Sequence, residues 1–368
     1  MNMYSIRILT NQPLRLTLTV GGVALCILLM FFLLSVYRGV ADGSVEYIRR
    51  NKVDLWVLQC NASNILRGSS LLSTAHGYVI RQIPSVQSAS AVLLSLSAIK
   101  KDNHVATVYL AGYNPETGHG GPPHLVEGRS VLNDNEIVID KSFASKFRFK
   151  LGDSIKIQDD TLQIVGISTG TNAFVIQYAF VTLKRAQSLI GFPNIVTCYL
   201  VKVKQGKDIS KVSAEIREEV PGLEVFDHAT FLQNNIHEMQ SGFLPFIYTI
   251  AAIGIIVLTA ILSLLLSVNI LERRKDFAVL KIIGSPKRFL SNLIIEQAIM
   301  ISFLGSVVAL ILFFPMVALI EKISPEVSTK SSAEHIVIVM SIAVMMSLIS
   351  SFISVQRIRR IYPLEVFS

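Results

Sequence analysis

Apolar positions along this chain follow two patterns that stay apart. Four runs are long and nearly continuous, at residues 16–37, 239–271, 289–320 (broken by Glu296) and 336–356. Each is long enough to cross a bilayer core, which takes about 20 apolar helical residues. Between the first and second runs the apolar stretches are short. Those at 54–59, 104–111, 136–140, 154–158, 162–167 and 198–203 are rich in β-branched residues and bounded by Gly, Asp or Asn, as strands are. Helical patterns lie between them at 141–147, 183–190 and 208–219. In the last, Asp208 or Ser210 suits the N-cap, and Val212, Ile216 and Val220 recur at i, i+4, i+8. The segment 113–125, full of Gly, Pro and His, reads as irregular. The pattern therefore predicts an α-helical membrane protein with four transmembrane helices. An extracytoplasmic α+β domain, residues 40–238, is inserted between helices 1 and 2.

Composition supports a membrane. Hydrophobic residues make up 51% of the 368 and charged ones only 16%, against about 25% charged in ordinary soluble chains. The first run is longer than a signal-peptide core of about 7–15 residues, and Arg38 follows it where a small-residue cleavage site would stand, so it is read as a retained span. The formal net charge of +8 is placed in short loops and not in a patch interleaved with aromatics, so nucleic acid is not an expected partner. Arg7 and Arg15 precede the first run. Arg273, Arg274, Lys275, Lys281, Lys287 and Arg288 fill the second loop, and Arg357, Arg359 and Arg360 follow the fourth run. The loop 321–335 has Lys322 and Lys330 against three glutamates. The positive-inside rule then puts segment 1–15, the 272–288 loop and the tail 357–368 in the cytoplasm.

Candidate chemistry in the outer segment is sparse. No H-E-x-x-H, G-x-S-x-G or Cys-x-x-Cys pattern occurs, so no catalytic or metal residues are expected. His119 and His124 lack a second ligand pair and read as loop residues. Cys60 and Cys198 share the outer region, where a disulfide is chemically allowed, but sequence cannot bring their α-carbons within bonding reach.

Two features suggest mechanics. Residues 227–240 look helical and lead directly into the uncharged run 239–271. That run alone would measure about 50 Å as a helix, beyond a hydrocarbon core of about 30 Å, so it is expected to form a stalk. Gly242 and Pro245 mark where this helix would break or kink. The second feature is the short segment 272–285. Phe277, Leu280 and Ile283 share one side while Arg273, Arg274 and Lys281 face elsewhere. Gly284 suits a left-handed helix stop, Ser285 an N-cap and Pro286 the first turn of the next span, 286–320. Such a helix either lies on the membrane surface or docks a cytoplasmic partner.

The segment Glu272-Arg-Arg-Lys-Asp-Phe-Ala-Val-Leu-Lys-Ile-Ile-Gly-Ser-Pro286 resembles the coupling region of FtsX-like permeases of the MacB superfamily of ATP-binding-cassette transporters. Residues 135–156 are similar to that family's strand–helix–Gly-Asp segment. Residues 359–367 resemble its closing Pro-x-Glu motif. Residues 54–59 and 69–72 are similar to the DevC-type and haem-exporter-type branch. The resemblance implies a MacB-like periplasmic core domain and a homodimeric permease in the bacterial cytoplasmic (inner) membrane. It also implies two copies of an ABC ATPase subunit, docked at Glu272, Arg273, Arg274, Phe277, Leu280, Lys281, Gly284 and Ser285. The sequence has no G-x-x-x-x-G-K-[ST] loop. The chain is therefore expected to bind no cofactor itself and to be no enzyme, with ATP and Mg held by the partner. A periplasmic adaptor or membrane-fusion protein and membrane lipid are further expected partners.

Other residues divide between bland and functional readings. Glu296, the one carboxylate inside a span, is either a structural pair or part of coupling. Ala343, Ser347 and Ser351, with Ser350 and Ser354 beside them, form a small-residue face expected to pack within the protomer rather than at a dimer seam. His237, Glu238 and Met239 sit at the outer mouth of the second span; His and Met are haem ligands, but a polar helix surface is the favoured reading. The expected function is mechanotransmission: a permease that exports or extracts an amphiphile such as haem, lipid, peptide or lipoprotein. The alternative is an FtsX-like regulator of cell-wall hydrolases that transports nothing.

Overall fold

The structure, a computed structural model, describes residues 13–66, 70–101, 104–158, 160–171, 177–272, 279, 287–325, 329 and 333–359. It divides into two compact units. One holds the apolar helices and the other, residues 38–244 with 320–328, holds the sheet.

In chain order the elements are helix α1 (Pro13–Arg50), strands β1 (Leu55–Gln59) and β2 (Leu72–Ser73), helix α2 (Thr74–Gln82), then β3 (Val86–Lys101), β4 (His104–Tyr113), β5 (His124–Gly128) and β6 (Glu136–Asp140). Helix α3 (Lys141–Phe147), β7 (Ser154–Ile157), β8 (Asp160–Thr169), β9 (Gln177–Thr182), α4 (Leu183–Ile190), β10 (Ile195–Val196) and β11 (Cys198–Val203) follow. Helix α5 (Ile209–Glu219), β12 (Leu223–Asp227), α6 (His228–Glu272), α7 (Lys287–Ile323) and α8 (Ala333–Arg359) complete them.

The large sheet runs β12-β1-β11-β3-β4-β9-β6-β8-β5, with β7 joined to β3 and β8. Its pairs are antiparallel except β4 with β9 and β6 with β8. Alternation along β1 shows how the two faces are used. Leu55 and Val57 pack with Ile80 of α2 and with Val212 and Ile216 of α5. Trp56 and Leu58 point the other way, into a cluster with Tyr47, Ile48 and Phe231 from α1 and α6. Side chains at the helix starts behave as their sequence suggests: Asp140 accepts from Ser142 N–H, and Asp208, not Ser210, caps α5 by accepting from the Ser210 N–H.

The strands at 136–140 and 198–203 and the helices at 141–147 and 183–190 appear where the pattern places them. Two expectations need correction, and one open pairing is resolved. The irregular segment 113–125 ends in the edge strand β5, whose outward-facing residues carry no apolar alternation. The break considered at Gly242 or Pro245 does not occur: α6 is helical through both. Pro245 lacks the N–H that would bond the Ser241 carbonyl, a loss that membrane helices tolerate; separately, Thr249 Oγ1 donates to the Pro245 carbonyl at 2.7 Å. Cys60 and Cys198 are both free, one exposed and one fully buried on β11.

In the helical unit, α1, α7 and α8 share one core: Val23, Ala24 and Ile27 meet Ala298, Ile301, Val339 and Ala343. Gly305 lets α7 approach α1 closely, since a Cβ there would lie 2.7 Å from Val23 Cγ1. The small face of α8 packs inside the protomer. Ala343, Ser347, Ser350 and Ser351 are all buried. Ser302 Oγ donates to the Ala343 carbonyl at 3.2 Å, and Ser350 Oγ to the Thr259 carbonyl at 2.8 Å. Among the described residues three stretches are long and apolar enough to cross a membrane: Leu16–Arg50, Leu244–Ile261 and Ile294–Ile323. Ile336–Phe352 in α8 is a shorter apolar helix.

Candidate functional site

The outer domain receives α1 and releases α6 at one place. β1 and β12 are antiparallel neighbours with Leu55 opposite Asp227. Glu46, one turn before the end of α1, bridges Arg49 at 3.2 Å and Arg50 at 2.7 Å; those cations complement the helix C-terminus. Asp227 starts α6, accepting from the Thr230 N–H at 2.9 Å and the Thr230 hydroxyl at 2.6 Å. Those hydrogen bonds hold its carboxyl below the ordinary range.

Trp56 is the centre of this junction and is fully buried. Phe231 of α6 stacks on it with centroids 4.6 Å apart, and Tyr47 of α1 meets it edge-on at 6.5 Å. Its indole Nε1 donates to His228 Nδ1 at 3.3 Å. That acceptor requires a neutral imidazole. Burial is the main cause pulling His228 below its ordinary value, against the opposing pull of Asp227 and Asp54. Asp54 in turn pairs with Lys202 Nζ at 2.9 Å and accepts from the Val203 N–H at 2.8 Å, while the His228 N–H donates to the Asp54 carbonyl.

Two loops are held to the helices. Asn51, at the end of α1, accepts from the Gly120 N–H at 2.8 Å, and Tyr47 Oη donates to the Gly120 carbonyl at 2.8 Å. Asn235 of α6 accepts from the Ile65 N–H at 3.0 Å, and Tyr109 Oη donates to the Ile65 carbonyl at 2.9 Å. Burial pushes the Tyr109 phenol up to about 12, so it remains a donor at any working pH.

Among the described residues, those singled out from sequence are not gathered into one site. His237 is exposed, while Glu238 and Met239 are half-buried. Successive helical residues point about 100° apart, so the three do not share a face. Met239 Sδ already accepts from Ser44 Oγ at 3.6 Å. Glu296 is half-buried in α7. Glu272 is the last residue of α6. Arg273, Arg274, Phe277, Leu280, Lys281, Gly284 and Ser285 lie outside the described residues. Among the described residues no group of three His, Cys, Asp or Glu could hold a metal. Asn51, Asn235 and Gly120 were missed from the sequence. The available signal was an aromatic residue four positions before each Asn, Tyr47 and Phe231, close to each end of the inserted domain.

Apolar membrane-length helices carrying an inserted, sheet-based domain define a membrane protein of the permease kind. The pattern of the MacB-like periplasmic core domain matches residues 16–219, and that of the FtsX-like permease C-terminal region matches 248–363. The chain belongs to this MacB/FtsX family of ABC transporter permeases. An uncharacterized ABC transporter permease of Mycobacterium tuberculosis is 26% identical over 302 residues, 78% of this chain and 81% of that one. A relative in Staphylococcus epidermidis named as a hemin transport system permease protein, HrtB, is 24% identical over 247 residues, 66% of each chain. The periplasmic region of MacB from Actinobacillus actinomycetemcomitans aligns with a TM-score of 0.41 at 13% identity, covering 50% of this chain and 94% of that one. An ABC transporter permease implies an ATPase partner.

Proposed function

We propose that this chain passes ATP-driven motion of a separate ATPase to its outer domain, and that the motion exports or extracts an amphiphilic substrate. The supporting observation is helix continuity. The helix that bonds Ile65 through Asn235 and Trp56 through His228 is the same helix, His228–Glu272, that contains the apolar run 244–261 and ends at the basic segment. At 1.5 Å per residue its 45 residues extend about 67 Å. Two copies of this chain and two ATPase subunits form the working unit in the bacterial inner membrane, with both termini and the 272–285 segment cytoplasmic. ATP and Mg reside on the ATPase. The similarity to a protein named for hemin transport supports haem as one candidate within the amphiphile class, with an adaptor protein and surrounding lipid as further partners.

Docking rests on Phe277 and Leu280 as buried anchors and on Arg273, Arg274 and Lys281 as rim charges. Burying one such apolar side chain is worth about 1.5–3 kcal/mol. The double substitution Phe277→Ala/Leu280→Ala should therefore weaken ATPase binding by about two to four orders of magnitude, at about 1.4 kcal/mol per tenfold. Membrane insertion should persist, while co-purification of the ATPase and coupled hydrolysis disappear. Retention of the ATPase at native affinity would show that the segment merely lies on the membrane surface.

A further inference from the structure

The two loop attachments are built alike. In each, an asparagine accepts the N–H of a loop residue while its own Nδ2 donates to the helix carbonyl four residues back: Asn51 to Tyr47 and Asn235 to Phe231, both at 2.8 Å. In each, a tyrosine hydroxyl takes the carbonyl of that same loop residue. Both asparagines are buried, Asn235 completely. Asparagine is a poor interior helix residue because its side chain competes for backbone groups. Here the competition is used, since the back-bond to the helix fixes the amide that grips the loop.

The attachments differ in what they join. Gly120 is gripped on both sides by α1 alone, through Asn51 and Tyr47. Ile65 is gripped by α6 on one side and by Tyr109 of β4 on the other. The second clip thus ties α6 to the sheet, whereas the first ties the loop 114–123 to α1. Gly120 is suited to it: φ is +86°, and an added Cβ would overlap Val92.

This loop also forms one wall of an open cleft of about 480 Å3. Asn114 and Glu116 lie on that wall, and Tyr113 at the end of β4, Asp134, Lys184 and Gln187 line the rest. Lys184 Nζ lies 3.5 Å from Asp134 and belongs to the first turn of α4, which follows sheet strand β9.

We infer that Asn51 and Tyr47 are positioning residues that make loop 114–123 follow α1, so that the 113–116/182–187 cleft changes width with the state of the ATPase. The clip on α6 makes the sheet follow α6, so the cleft width reports how far α1 moves relative to α6. This rests on the mechanotransmission reading above.

Hydrogen–deuterium exchange of the full protein with its ATPase in lipid nanodiscs tests it, comparing nucleotide-free and ADP–vanadate-trapped complexes. In the native protein, peptides covering the end of α1 and the loop 114–123 should both change exchange with nucleotide, while 177–182 stays constant as the sheet control. Asn51→Ala should abolish the nucleotide response of the loop and leave that of α1. Asn51→Asp keeps an acceptor for the Gly120 N–H but loses the bond from Nδ2 to the Tyr47 carbonyl, so it should retain only part of the loop response. Tyr47→Phe keeps the ring packing and should reduce the loop response even if Asn51→Ala fails to fold. A loop that responds natively in both Asn51→Ala and Tyr47→Phe overturns the inference with the mechanotransmission reading intact. An α1 that ignores nucleotide in the native complex overturns that reading, and the inference with it.

Discussion

Trp56, Tyr47 and Phe231 are wholly enclosed in the outer domain, whereas Phe246, Tyr248 and Ile256 on α6 are exposed at 69%, 65% and 67%. The two sets are chemically alike and occupy opposite environments. In the sheet domain, large apolar groups make the core, and the buried amides of Asn51 and Asn235 are admitted with hydrogen-bond partners. In the helical unit, many large apolar groups turn outward, and the apolar core between the helices is joined by small residues such as Gly305, Ala343, Ser302 and Ser350. Such an exposed apolar surface is not sustainable in water and is ordinary against lipid, where helices associate through small residues and interhelical hydrogen bonds. The same alphabet of side chains thus reports which solvent each unit faces.

That contrast can be broken by substitution. Trp56→Ala should be the most damaging, lowering outer-domain stability by about 3–5 kcal/mol. Phe246→Ala in a bilayer should leave that stability unchanged. Protease susceptibility of the outer domain in membranes reads both, and equal effects would erase the distinction. Gly305→Val should come next: the added side chain meets Val23, and overpacking costs about 1–3 kcal/mol. Gly254→Ala, where the nearest atom to a new Cβ is Met30 Cγ at 3.9 Å, should be tolerated in thermal unfolding of the detergent-solubilised protein.

A comparable effect is expected from an ion pair in the sheet domain. Arg129 grips Glu136 with two bonds of 2.7 Å, joined by the Leu132 and Asn133 backbone N–H groups. Arg129 first, and then those N–H groups, hold the Glu136 carboxyl well below its ordinary 4.5, despite burial. A depressed carboxylate stabilises fully above its unfolded value, and the contribution is lost as pH falls from about 4.5 toward the folded value. Glu136→Gln should therefore destabilise by about 1.5–3 kcal/mol at neutral pH and flatten the acid limb of an unfolding-versus-pH curve. An unchanged acid limb would mean that other carboxylates govern it. Ser350→Ala should be the mildest of the destabilising changes, about 0.6 kcal/mol, read as a small shift in thermal unfolding. A loss several times larger would show that the Thr259 contact carries more of the α6–α8 packing than one hydroxyl bond can.

Much of this architecture was legible in the sequence because each unit follows one period. The apolar runs and the strands at 136–140 and 198–203 carry strong local signals. β9 was missed because both its faces are buried, which removes alternation: all six residues, Gln177–Thr182, are enclosed. β3 was missed because Ser88, Ser90, Ser95 and Ser97 dilute its apolar signal. The junction was less readable. Asn51 meets Gly120 across 69 positions, and Asn235 meets Ile65 across 170. No window along the chain contains both partners, so only the aromatic-and-asparagine spacing near each end of the domain hinted at them.

The pairing of Leu55 with Asp227 sets the two ends of the outer domain opposite each other on adjacent strands, about 5 Å apart as in any antiparallel pair. To the helices on either side, 171 intervening residues therefore look like a tight turn. A domain closed in this way is a cassette. It can be exchanged as a unit at two neighbouring cut points without interrupting either flanking helix.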